Sequence, residues 1–136
     1  MKLYTYLNFG GNCREAFEFY EKHLGGKITS MMTHAQAPFQ NPNQPEGWDK
    51  AVLHARMNIG GTELMGADIP GCQPVRSAYM SLLVDSIEEA ERVYATLGEG
   101  GEIFMPMTET FFSFRFGQLR DKFGVNWMIL NERPMA

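Results

Sequence analysis

A chain of 136 residues with a net charge of −4 and no run of Lys or Arg lacks the basic patch that nucleic-acid binding calls for. Its 44% hydrophobic content suffices for a core, yet no apolar stretch approaches membrane-spanning length, and the start MKLYTYLNFGG lacks a signal peptide's charged-then-apolar layout. Cys13 and Cys72 are far apart and show no CxxC spacing, so they read as reduced thiols of a cytoplasmic protein.

The first predicted element is a half-buried strand over Lys2 to Phe9, where Leu3, Leu7 and Phe9 alternate with Tyr4, Tyr6 and Asn8. Gly10-Gly11 ends it, and Asn12 is the expected N-cap of a helix whose apolar stripe is Cys13, Ala16, Phe17, Tyr20 and Leu24. Gly25-Gly26 closes that helix, and Lys27 to His34 reads as a second strand. The segment from Ala35 to Lys50 holds Pro38, Pro42, Pro45 and Trp48 and is too long for a simple connection. It is either a surface loop with one tryptophan tucked in or a lid over a cavity. A third strand runs from Lys50 to Ile59, with Leu53, Ala55, Met57 and Ile59 on one side and Val52, His54, Arg56 and Asn58 on the other. Gly60-Gly61 signals a hairpin into a fourth strand, Thr62 to Ala67.

The order then repeats. Ser77 to Val84 is a strand, and Ser86 with Glu89 forms a capping box ahead of a helix striped by Ile87, Ala90, Val93, Tyr94 and Leu97. Glycines at 98, 100 and 101 close the helix, and strands follow near 102–107, 112–120 and 125–131. FYEKHLGGKITSM in the first half recurs as VYATLGEGGEIFM in the second, and an internal repeat dictates the fold. Two copies of strand–helix–three strands predict an α+β domain over residues 1–136, with one βαβββ module over about 2–67 and another over about 77–131. One side of each sheet is covered by its helix, and the other faces its counterpart or a cavity. Ten methionines suit an adaptable apolar lining, although Met31, Met57 and Met80 also serve as core filler.

Three segments carry a family resemblance: YLNFGGNCREAFEFYEKHLGG, LHARMNIGGTELMGAD and ETFFSFRFGQLRDKFGVNWMI. Together they cover almost the whole chain, and they resemble the vicinal oxygen chelate superfamily of glyoxalase I, bleomycin- and fosfomycin-resistance proteins and extradiol dioxygenases. Within it the chain is similar to the PhnB-like branch. The resemblance implies sheets curled around a cavity, a homodimer, and in many members a divalent metal held by four residues drawn from His, Glu and Gln. These would sit on the first, fourth, fifth and eighth strands, where this chain has Tyr4, Met65, Tyr79 and Met128. Two phenols and two thioethers do not offer a divalent ion the imidazole or carboxylate ligands it needs, so no metal and no other cofactor is expected. A methyltransferase reading finds no support, because no glycine-rich dinucleotide-type loop follows a strand.

Polar residues on the cavity side remain. His54 and Arg56 alternate onto it, and His34 ends a strand that could approach His54. In FFSFRFG, Phe112, Phe114 and Phe116 form one apolar row with Arg115 on the other side, which the repeat makes the side of His54; there Arg115 either pairs with a ligand carboxylate or phosphate or forms a surface salt bridge. The expected ligand-binding set is therefore Tyr4, His54, Arg56, Tyr79, Arg115, Trp127 and Met128. Three functions fit: a metal-free small-molecule binder, an enzyme of the superfamily acting on a small substrate, or a structural dimer with a vestigial cavity. The first is favoured by the missing ligands.

Overall fold

A computed structural model of the chain describes residues 1–39, 44–75 and 77–134. Pro42 of the long central segment lies outside the described residues. The chain divides into two compact units, Met1–Gln73 and Pro74–Ala136, each a βαβββ module.

The first unit contains β1 (Thr5–Phe9), α1 (Cys13–Leu24), β2 (Lys27–Thr33), β3 (Val52–Ile59) and β4 (Thr62–Asp68). A single 3-10 turn, His34–Gln36, follows β2. The sheet order is β1-β4-β3-β2, with β1 parallel to β4 and the remaining pairs antiparallel. The helical stripe is largely as expected: Cys13, Ala16, Phe17 and Tyr20 are buried, and they meet Leu7, Phe9, Ala55, Met57 and Leu64 from the sheet. Phe17 lies edge-on to Phe9, and its ring runs so close over Gly66 that a Cβ there would come within 2.9 Å of it. A glycine is needed inside β4 because the ring occupies the space a side chain would fill.

The second unit contains β5 (Met80–Leu83), α2 (Ile87–Gly98), β6 (Glu102–Thr108), β7 (Ser113–Arg120) and β8 (Asn126–Glu132), in sheet order β5-β8-β7-β6. Ala90, Val93 and Leu97 bury the helix against Leu119, Trp127 and Ile129. Ser86 caps α2 as expected, its Oγ accepting from the Glu89 N–H at 3.1 Å.

Asn12 behaves differently. It occupies the N-cap of α1 but makes no side-chain bond there. The cap comes instead from Asp68, at the far end of β4, whose Oδ1 accepts from the N–H groups of Gly11 and Cys13, both at 2.9 Å. Its Oδ2 accepts from Val52 N–H, also at 2.9 Å, so one carboxylate ties together the starts of α1 and β3 and the end of β4. The second unit has a comparable clasp. Asp121 accepts from the main-chain N–H of Phe123 and Val125 and from the Trp127 indole N–H at 2.8 Å.

Candidate functional site

The face of the first sheet away from α1 gathers the polar residues of interest. Tyr6 is the register partner of Met65, Met65 that of Arg56, and Met32 that of His54. By alternation His54, Arg56, Glu63, Met65 and Tyr6 therefore share one face. His54 and Arg56 share one face, as the alternation of β3 predicts, but neither is among the residues that line the cavity at its edge. Arg56 spends its charge on an ion pair with Glu63, its neighbour across the β3–β4 hairpin. The Tyr6 hydroxyl lies 3.4 Å from Nδ1 of His54. Desolvation, and secondarily Cys13, hold the Tyr6 phenol above its ordinary pKa, so it keeps its proton at neutral pH.

Tyr4 lies two residues ahead of Tyr6, before β1 begins. The first-strand residue level with Met65 is Tyr6, so the position opposite the fourth strand moves from Tyr4 to Tyr6.

One edge of this face opens into a cavity of about 260 Å³. Tyr6 and Asn8 of β1, Leu53 of β3 and Asp68 of β4 line it on the sheet side; His34, Gln44, Pro45 and Trp48 close it from the long central segment. The described part of that segment is thus a wall of the cavity. It is braced at its base by His34 N–H to Ala51 C=O and Ala35 N–H to Asp49 C=O, both 3.0 Å. The Gln44 amide donates to Asp49 Oδ1 at 2.9 Å, and the Trp48 indole meets His34 edge-on with centroids 6.4 Å apart. His34 approaches Trp48 rather than His54; Tyr6, the neighbour of His54, lines the same cavity as His34.

Leu53 reaches the cavity because of a slip in pairing. Met32 pairs with His54 but Thr33 pairs with Val52, a one-residue irregularity that leaves Leu53 unmatched. Val52, expected beside His54, is consequently turned into the core.

The second unit departs further from expectation. Arg115 is not level with His54 on the open face. Its register partner is Asn131, which places it on the helix-covered side, and its Nε makes a 2.8 Å ion pair with Glu91 of α2. The turns explain the error. Two residues separate Ile59 from its partner Thr62, whereas five separate Arg120 from Asn126, and an odd difference exchanges the two faces of β7. Phe116, expected to face the helix, lies on the other side with its partner Leu130.

Trp127 is 1% exposed, with its indole N–H taken by Asp121, and has almost no surface to offer a ligand. Tyr79 precedes β5 and rests edge-on against Phe104, which Arg120 covers from 5.3 Å. Met128 is half-buried on the open face, and its register partner in β5 is Ser81, two residues beyond Tyr79.

Among the described residues no three His, Cys, Asp or Glu side chains cluster as metal ligands. Glu63, the carboxylate beside Met65, is held by Arg56. Cys13 is a poor nucleophile. Burial, with Asp68 nearby, pushes the Cys13 thiol up to about 12, and Cys72 hydrogen-bonds the Asn8 carbonyl at 3.2 Å.

Residues 5–129 match the model of the Glyoxalase/Bleomycin resistance protein/Dioxygenase superfamily. The chain is 34% identical to Protein YjdN of Escherichia coli (strain K12), over 95% of this chain and 94% of that protein. It also matches the crystal structure of protein PA1353 from Pseudomonas aeruginosa, at 38% identity and a TM-score of 0.88, covering 98% and 99% of the two chains. The PhnB protein of Bacillus cereus follows at 27% identity and a TM-score of 0.81, covering 96% and 99%.

Proposed function

Because the chain belongs to the glyoxalase/bleomycin resistance protein/dioxygenase superfamily, in its PhnB-like branch, we infer that it binds a small organic molecule in the cavity of its first unit, and does so without a divalent ion. The cavity itself carries this reading. It is concave, walled by the rings of Tyr6 and Trp48, and furnished with a few polar groups, Asn8 and Gln44 among them. At about 260 Å³ it is smaller than the ~300–1,000 Å³ of drug-sized sites, so the ligand is small. Tyr and Met at the positions level with the family's metal ligands, and Glu63 already paired, support the metal-free part.

Trp48 is the built-in reporter. Ligand binding is expected to change its fluorescence, while buried Trp127 contributes a constant background. In Trp48→Phe the ligand-dependent change should vanish, and a chelator should leave the wild-type titration unaltered. A signal that survives Trp48→Phe, or that EDTA abolishes, would remove this cavity or the metal-free mode, respectively.

The contact between Tyr6 Oη and His54 Nδ1 favours a second reading, acid–base catalysis beside the cavity. It requires turnover that Tyr6→Phe abolishes while binding persists.

A homodimer fits the strand edges. β1 and β2 bound the first sheet, β5 and β6 the second. Pro106 protects the edge of β6, but β1 has no proline and only Lys2 near it. Closed two-fold pairing is the common remedy. Light scattering should return about 31 kDa, twice the 15.4 kDa of the chain. A 15.4 kDa species persisting at high micromolar concentration would show that the edges need no second copy.

A further inference from the structure

The cavity of the first unit also carries information about the charge of its occupant. One carboxylate stands in its wall. Asp68 is 4% exposed, and its two oxygens already accept three main-chain N–H bonds, so it contributes negative charge without offering a strong free acceptor. A second carboxylate, Asp49, stands one hydrogen bond behind the lining residue Gln44. Among the described residues no Lys or Arg lines the space. Arg56, the cation of the adjoining sheet face, is paired with Glu63. An anion placed here would face a carboxylate and aromatic rings with no Lys or Arg among the described lining residues to balance it; the basic side chain present is His34, which packs edge-on against Trp48. A positive group would meet the opposite: ring quadrupoles of Tyr6 and Trp48, backed by a fixed negative charge.

Resting on the reading of this cavity as the ligand site, we propose that the ligand is a small organic cation, an amine or quaternary ammonium held against Tyr6 and Trp48. In so small a space a bound cation sits within reach of both rings, and Asp68 sets the sign.

The test compares probes of matched shape and different charge on the intact protein: choline, ethanolamine, the uncharged choline isostere 3,3-dimethyl-1-butanol, and acetate. Trp48 fluorescence and calorimetry both report binding. At least one of the two cations should bind about three- to thirty-fold more tightly than the isostere, with acetate weakest. Trp48→Leu should shrink that ratio towards one, and Trp48→Phe should retain most of it. If the isostere or acetate binds as tightly as the cations, the charge assignment is wrong while the cavity remains a binding site. Silence from all four probes in both measurements would sink the cavity reading together with this inference.

Discussion

Asp68→Ala is expected to destabilise the protein by about 3–5 kcal/mol, a large share of the ~5–15 kcal/mol that holds a domain together. The substitution strands three donors at once, Gly11, Cys13 and Val52 N–H, of which the last two are bonded in buried surroundings. An unmade buried hydrogen bond costs the full desolvation of its donor, about 1–3 kcal/mol each, and bonds to a charged acceptor lie towards the upper end. Asp68→Asn should be milder but still costly, because its amide nitrogen cannot accept. Asp121→Ala should behave like Asp68→Ala, since it strands Phe123 N–H, Val125 N–H and the Trp127 indole. Urea midpoints at constant slope measure these losses. A cost below about 1 kcal/mol for Asp68→Ala would mean that water replaces the carboxylate at all three donors.

Gly101→Ala is the second substitution expected to be severe. A Cβ at Gly101 would lie 2.1 Å from the Arg120 carbonyl oxygen and 3.1 Å from two further main-chain carbons. The obstacle is backbone, which cannot rotate aside, so β6 must separate from β7 where Glu102 pairs with Arg120. A loss of about 3 kcal/mol or more follows, at or beyond the top of the usual overpacking range. Gly25→Ala is the control. It ends α1 with φ of 73° and open space around it, so it bears only the strain of a left-handed residue, about 1 kcal/mol. Thermal and urea melts rank the two, and near-equal costs would show that the strand junction at Gly101 yields easily.

The fold was readable because its signals are local and repeated. The helical stripes of Cys13–Tyr20 and Ala90–Leu97, the glycine punctuation and the doubled strand–helix order all lie within short windows, and all correspond to elements observed. His54 and Arg56 were readable for the same reason, as period-two alternation within one strand. What failed depended on pairing between strands. Whether Val52 or Leu53 points inward turns on a slip opposite Met32 and Thr33, and nothing in the residues of β3 announces it. Asp68 carries no local signal of its role, since its three partners lie 16, 55 and 57 positions away. Trp127 invited a place beside a ligand because aromatic residues favour such sites, yet its indole partner, Asp121, sits in the preceding turn. That short spacing was the available clue. Trp48, by contrast, was visible only within an open choice between a surface loop with the tryptophan tucked in and a lid over a cavity.

The unequal turns of the two units bear on how such a protein diversifies. If both units descend from one ancestral module, the usual route to a new surface is point substitution, one side chain at a time. A change of one residue in the β7–β8 turn acts on many side chains at once, because it carries Arg115 and Phe116 across the sheet together. An insertion or deletion there rewrites the chemistry of a face while leaving the composition of the strand intact. Relatives whose β7–β8 turn differs in length by one residue should therefore present different faces from nearly identical strand sequences, and alignments that ignore the gap will assign their residues to the wrong side.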